Sequence, residues 1–214
     1  MYLFPYDIIR LKNCIGMKSE NFVRNHTQLT YGSNPYFPSV MMKLTDDKSC
    51  PFLVPEGCSV YNDRPSSCRT YPLERAVDRN PERKAQTDYY FLTNHSYCLG
   101  HGESGMFSVK DWIRNQKIDS FNLLNDLWAE IEGIFMTNPW KGEGRGGPKQ
   151  QLAFMVCYNI DAFRDYLYSN SLLRQFRLSG NQKKSIETDD PELLKFGFQW
   201  LKLLLTGKSN LISR

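Results

Sequence analysis

The second half of the chain carries the clearest hydrophobic periodicity. Apolar residues recur at helical spacing in three stretches, which begin near residue 119, near residue 149 and at Asp190. Each stretch keeps its apolar positions on one face of a helix and its polar positions on the other. The pattern therefore predicts about three amphipathic helices in residues 105–214, with a glycine-rich linker at 141–149.

The first half is patterned differently. Residues 6–25 show partial helical periodicity that Gly16 interrupts, and residues 26–49 are rich in turn formers. Residues 74–88 are charged and lack periodic apolar positions, which indicates a solvated loop, whereas residues 89–92 are apolar and aromatic enough for a strand. The fold class expected is mainly α with a small, loop-rich, cysteine-ligated module, and α+β at most, with few short strands.

The loop-rich module contains most of the cysteines. Seven residues separate Cys50 from Cys58, nine separate Cys58 from Cys68, and Cys98 follows after twenty-nine more. Prolines and a glycine among the first three break helices and favour turns, so folded-back loops can bring the thiols to one point. Four thiolates can hold zinc in a closed tetrahedral site, and the same set can hold an Fe–S cluster. The alternative is a group of buried thiols that bind nothing.

Two histidines and two arginines flank these cysteines. His95 and His101 lie three residues to either side of Cys98. Either imidazole could replace a ligand or hydrogen-bond one, although plain loop histidines are commoner. Arg64 and Arg69 could offset the negative charge of a thiolate centre, or could equally serve as capping or ion-pairing residues.

The two remaining cysteines are predicted to be packed thiols. Cys14 lies on the apolar pattern of the first helix, and Cys157 lies inside a helix of the second half. Free cysteine behaves as a small buried hydrophobe. We therefore expect replacement of Cys14 or Cys157 by Ser to leave any metal bound.

The cysteine segment resembles a known family. The runs C-P-F-L, G-C-S-V-Y and R-P-S-S-C-R-T-Y-P, followed by C-x-G, are similar to the YkgJ-type cysteine-cluster family, and the likeness covers roughly residues 1–105. Members are described as chelators of zinc or iron and are often labelled Fe–S oxidoreductases. The resemblance implies a cysteine-ligated metal centre and is silent on its purpose.

One part of that family's pattern is missing from this sequence. In the family, a C-x-x-C-x-x-C-C-like cluster normally precedes the segment that starts at Asp7, whereas this sequence begins at Met1, where such a cluster would end. Either these ligands have been lost or the native chain starts further upstream, and we expect the second. The identity of the metal, zinc or an Fe–S cluster, and its stoichiometry stay open.

Composition and net charge restrict the classes of function that we expect. The chain has 214 residues, of which 41% are hydrophobic and 14% aromatic, so a folded globule is expected. A net charge of +4, evenly spread, is too small to indicate nucleic-acid or membrane binding. The sequence contains neither a secretory signal nor an apolar stretch long enough to span a bilayer, so we expect a cytoplasmic protein with reduced cysteines.

Three functional hypotheses remain. The first is a metal-binding protein whose zinc or Fe–S centre, held in residues 1–104, is structural or serves metal handling. The second is an enzyme, either an Fe–S-dependent oxidoreductase or a protein-modifying enzyme, because the resemblance extends to flagellin lysine methylases; no catalytic motif of the common classes is present. The third is a metal-stapled interaction module, with a protein partner on the helical region 105–214.

Overall fold

The computed structural model describes residues 1–79 and 86–214. It is mainly α, with about 51% of the structure helical. The α-helices are α1 (Pro5–Cys14), α2 (Ser19–His26), α3 (Ser66–Thr70), α4 (Val109–Asn115), α5 (Asp119–Met136), α6 (Pro148–Tyr158), α7 (Ile160–Ser169), α8 (Gly180–Thr188) and α9 (Asp190–Thr206). The strands are β1 (Tyr2–Leu3), β2 (Thr27–Thr30), β3 (Ser39–Met42), β4 (Leu53–Val54), β5 (Gly57–Cys58), β6 (Leu73–Asp78) and β7 (Thr87–Leu92). Short 3₁₀ turns cover Tyr61–Asp63, Leu99–Gly102 and Leu172–Gln175.

The strands form three small antiparallel sheets. In the first, β3 lies between β1 and β2, and Val40 is paired with Leu3 on one side and Leu29 on the other. The second is the hairpin of β4 and β5, in which Leu53 lies opposite Cys58. The third is the longer hairpin of β6 and β7. The predicted fold class, mainly α with few short strands, is confirmed.

The prediction of a solvated loop over residues 74–88 is wrong at both of its ends. These ends belong to β6 and β7, while residues 80–85 lie outside the described residues. Arg75 of β6 is paired with Asp88 of β7, with 2.9 Å between Nε and Oδ2, and with Asp126 of α5 at 2.8 Å. Charge pairing across the strands and to the neighbouring helix therefore stabilises this hairpin without the apolar alternation that marks most strands.

The helical region has more and shorter helices than predicted. Residues 105–214 contain six α-helices, where about three were expected. The helical stretch predicted to begin near residue 149 breaks at Asn159, whose side chain accepts the backbone N–H of Ala162 and so caps α7. The polar helix α8 has little apolar periodicity to predict it and begins instead with a capping box formed by Ser179 and Gln182.

One hydrophobic core contains residues from both halves of the chain. Tyr6 of α1 packs on Phe121 of α5, with 4.9 Å between ring centroids, and Phe37 packs on Phe135 at 4.3 Å. The indole N–H of Trp140 donates to the backbone carbonyl of Tyr36 at 2.9 Å. The first half is thus packed directly on the helical region, and the division of the chain into two domains at residue 104 stays a prediction. Within residues 1–79 and 86–214, no helix combines the length and the apolar character needed to cross a membrane.

A network of ion pairs links α1 to the helical region. Lys12 is only 6% exposed, and its Nζ lies 3.1 Å from Oδ1 of Asp161 in α7 and 3.0 Å from Oδ2 of Asp190 in α9. Ser19, at the start of α2, donates its backbone N–H and its hydroxyl to Asp161, each at 2.7 Å. A single buried cation therefore joins the N-terminal helices to two helices of the second half.

Replacing Lys12 by Met should lower the free energy of unfolding by about 2 to 3 kcal/mol, because it leaves two carboxylates without the cation that they share. Urea denaturation at neutral pH measures the change. The matched control is Lys195→Met, since Lys195 pairs with Glu192 one turn away on the surface of α9, and such a pair contributes about 0.5 kcal/mol or less. Equal losses in the two variants would contradict the assignment.

Candidate metal centre

Three of the predicted cysteines line one open pocket of about 390 Å³. Cys50 precedes the β4–β5 hairpin, Cys58 ends it, and Cys68 lies in α3. The backbone N–H of Leu53 donates to the carbonyl of Cys50 at 3.0 Å, and Gly57 has a φ of 119°, which glycine adopts without steric cost. The hairpin therefore returns the chain on itself and places Cys50 and Cys58 at one end of the turn.

The position of α3 is set by Asp7 of α1. The Asp7 side chain is fully buried, and its Oδ1 accepts the backbone N–H of Ser66 at 2.8 Å. Its Oδ2 accepts the Ser66 hydroxyl at 3.2 Å and the backbone N–H of Phe4 at 2.9 Å. Carboxylates suit the free N–H groups at a helix N-terminus. Because Cys68 follows Ser66 by two residues, α1 determines where this thiol lies.

The two flanking arginines form hydrogen bonds with the loop between the hairpin and α3. Arg64 donates to the carbonyl of Tyr61 at 2.7 Å, stacks on the Tyr61 ring at 3.8 Å and also donates to the side chain of Gln116. Arg69 donates to the carbonyls of Asn62 and Gln116, each at 2.6 Å. Both guanidinium groups are buried and bonded to the protein. Their contacts join the cysteine segment to the end of α4.

The surroundings of Cys68 disfavour its thiolate. Desolvation is the largest cause, followed by the Cys50 and Cys58 thiols and the Asp7 carboxyl, and together they raise the pKa of Cys68 to about 11 in spite of the nearby Arg64. Thiols that act on the charge of Cys68 in this way are close to it in space. A metal cation would supply the positive charge that this group of thiolates lacks.

Cys68 is exposed as a whole residue, yet its sulfur is partly covered. Its Sγ lies 3.3 Å from the Sδ of Met1, to which the thiol donates a weak hydrogen bond. The first residue of the sequence therefore lies against the cysteine pocket.

Cys98 is linked to the pocket through Tyr71, which lines it. The Tyr71 hydroxyl interacts with the Cys98 thiol, and this interaction lowers the pKa of Cys98 and raises the pKa of Tyr71 to about 12. The same hydroxyl lies 3.1 Å from Nε2 of His101, and the His95 ring stacks parallel to the Tyr71 ring, with 5.8 Å between centroids. Both predicted histidines thus contact Tyr71.

The N-terminal half matches a known family. Residues 1–99 match the family named CxxCxxCC, which is described as a "putative zinc- or iron-chelating domain". This segment contains Cys50, Cys58, Cys68 and Cys98. The match covers 99 of the 214 residues of the chain, so residues 1–99 are similar to that family. The matched segment, here called the chelating domain after that description, has no C-x-x-C pair among its cysteines. No curated protein and no solved structure matches the chain.

The donor set of the chelating domain fits a thiolate-binding metal in kind but is not assembled as a coordination site. Thiolates bind zinc and iron tightly, and three of them face one pocket here. In the part of the chain that the structure describes, however, no three His, Cys, Asp or Glu side chains are arranged to hold a metal ion. Binding would have to draw the thiols together. Ligation by the four predicted cysteines therefore stays a prediction.

The packed-thiol prediction is confirmed for one of the two other cysteines and wrong for the other. Cys157 is buried in α6, which confirms the prediction of a core thiol. The same prediction for Cys14 is wrong, because α1 ends at this residue and its side chain is exposed to solvent. Partial desolvation and the nearby charges of Asp63 and Cys58 raise the pKa of the Cys14 thiol. Cys14 therefore lies near Cys58 of the cysteine pocket. The apolar periodicity of the first helix had instead predicted a packed thiol.

Sequence reasoning also missed the residues that hold the pocket in place. Tyr71 stands within the quoted motif R-P-S-S-C-R-T-Y-P, so its spacing from Cys68 was the available signal. Trp112 lies in α4 and Gln116 directly follows that helix, and the Trp112 indole donates to the carbonyl of Thr70 at 3.1 Å. Their contacts with α3 span more than forty residues of sequence, and no local pattern predicts them.

Asp7 should give the stability of the protein a distinctive pH dependence. Burial raises the pKa of Asp7 from 3.8 to about 6. A carboxyl group with a raised pKa in the folded state contributes stability that is complete below pH 3.8 and is lost as the pH rises through about 6. Two pKa units correspond to about 3 kcal/mol. The free energy of unfolding of the protein, relative to that of Asp7→Asn, should fall by about this amount between about pH 4 and pH 7.

Chemical denaturation of both proteins, in the presence of a chelator, measures this difference. A difference between the two proteins that stays constant with pH would contradict the assignment of a buried, titrating Asp7.

Proposed function

We propose that the chelating domain binds zinc or iron through Cys50, Cys58 and Cys68. The observation that supports this most directly is the convergence of three thiols, from three separate segments, on one pocket. The family description supports a metal and leaves the choice between zinc and iron open. When bound, the metal would supply the positive charge that stabilises the three thiolates.

Metal binding in this proposal moves the hairpin toward α3. The N-terminus of α3 is held by the buried Asp7 carboxylate, and Arg69 within it donates two further hydrogen bonds. The β4–β5 hairpin is less constrained, since Leu53 and Val54 are 61% and 40% exposed. The segment that can adjust is therefore the one that carries Cys50 and Cys58, and metal affinity is coupled to its ordering.

A fourth ligand would close the coordination shell. We propose Cys98 for this position, because Tyr71, which lines the pocket together with the three thiols, lowers the pKa of the Cys98 thiol. Cys14 is the competing candidate, since its thiol lies near Cys58. The exposure of Cys68 and the open pocket favour a centre that exchanges its metal, as metal handling requires, over a purely structural ion.

Single replacements of Cys50, Cys58 or Cys68 by Ser should each weaken zinc affinity by about a hundredfold or more, because each removes a direct ligand. Elemental analysis after dialysis, with competition against a coloured chelator, measures content and affinity. Cys157→Ser is the control and should keep its metal, since Cys157 is a core residue of α6. Full metal retention in the Cys58 and Cys68 variants would contradict the proposal.

The same titration distinguishes the two candidates for the fourth ligand. Cys98→Ser should weaken binding by about tenfold or more, while Cys14→Ser should bind like the unmodified protein. The reverse order would move the fourth position to Cys14 and leave the three-thiol pocket in place.

Metal should also slow hydrogen exchange in the hairpin. Adding zinc should protect the backbone amides of residues 51–60 by about tenfold or more, because the ion would tie both ends of the hairpin to α3. Hydrogen-exchange mass spectrometry with and without zinc measures the change, and Cys68→Ser should abolish it. Equal protection in the β6–β7 hairpin, or none at residues 51–60, would contradict closure of the pocket.

A further inference from the structure

A second pocket, of about 440 Å³, opens beside β1 and α5 and is separate from the cysteines. Aromatic side chains form much of its wall: Tyr2, Phe4, Trp128 and Tyr158. Trp128 and Tyr158 meet edge to face, with 5.7 Å between ring centroids and 68° between ring planes. The pocket is large enough for a small organic molecule.

One carboxylate faces this aromatic pocket. Glu132 follows Trp128 by one turn of α5, lines the pocket and is half-buried. Among residues 1–79 and 86–214, no group forms a hydrogen bond or an ion pair with Glu132. The described residues that line the pocket include no Lys or Arg. The negative charge of Glu132 is thus uncompensated within the described part of the chain.

A tyrosine hydroxyl belongs to the same wall. Tyr158 is 3% exposed and lines the pocket, and its hydroxyl has no hydrogen-bond partner in the part of the chain that the structure describes. The charge of Glu132 acts on this hydroxyl. Both groups line the pocket without a protein partner in the described residues, so a cationic ligand could pair with the carboxylate and hydrogen-bond the hydroxyl.

We propose that this pocket binds the ammonium group of a small organic amine. A cation is attracted to the faces of Trp and Tyr rings, and aromatic cages that bind organic ammonium groups rest on this attraction. Glu132 supplies the opposite charge, and a primary ammonium could in addition donate a hydrogen bond to the Tyr158 hydroxyl. The inference is independent of metal binding, since it involves none of the cysteines.

Calorimetric titration of the full chain with three probes tests the proposal. Choline carries a quaternary ammonium, n-butylamine carries a primary ammonium, and 3,3-dimethylbutan-1-ol has the shape of choline without its charge. We expect at least one ammonium probe to bind, and choline to bind about tenfold or more tightly than its neutral analogue. Stronger binding of n-butylamine than of choline would assign the site to primary amines, and the reverse order to quaternary ones.

The matched variants are Glu132→Gln and Glu130→Gln. Glu130 lies on the same helix, is exposed and is paired with Lys202 at 3.3 Å, so its replacement removes one negative charge outside the pocket. Glu132→Gln should weaken ammonium binding by about tenfold, whereas Glu130→Gln should bind like the unmodified protein. Thermal unfolding confirms that Glu132→Gln is folded, and we expect it to be at least as stable, because a desolvated carboxyl group is removed.

Three results would overturn the proposal. They are equal binding of choline and its neutral analogue, equal ammonium binding by Glu132→Gln and the unmodified protein, and no binding of either ammonium probe at roughly 10 mM.

Discussion

The hydrogen bonds between Asp7 and Ser66 are the contact on which the cysteine pocket depends. They place a buried carboxylate of α1 at the start of α3, and so determine the position of Cys68. Ion pairs of Lys12 in turn hold α1 against α7 and α9. The helical region therefore contributes to the candidate metal centre without supplying a thiol to it.

The small size of the cysteine segment explains this dependence. Two-residue strands and a five-residue helix bury little apolar surface, and such segments need support from neighbouring elements or from a metal. Here the support comes from α4 and α5, through the hydrogen bonds of Arg69 and Trp112 and the stacking of Arg69 on the Phe121 ring at 4.7 Å. A bound metal would add the remaining restraint, on the hairpin that these contacts leave exposed.

Local sequence patterns predicted the class of fold and the grouping of four cysteines, of which three line one pocket. The turn formers around Cys58 favour a return of the chain, and the structure has a hairpin there. The patterns failed in two places. Ion pairs of Arg75 stabilise a hairpin that lacks apolar alternation. Cys14 is exposed because helix α1 ends at this residue. The link between Asp7 and Ser66 joins residues far apart in sequence, and pairings of that kind leave no local signal.

The measurement that tests the central claim most directly is X-ray absorption at the zinc edge of the zinc-loaded protein. Cysteine sulfur lies about 2.3 Å from zinc, whereas nitrogen and oxygen ligands lie closer to 2.0 Å, so the two kinds of ligand are resolved. A three-thiol centre should show at least three sulfur ligands per zinc, and one fewer in Cys68→Ser. A shell of nitrogen and oxygen with fewer than two sulfurs would contradict the claim that Cys50, Cys58 and Cys68 form one metal centre.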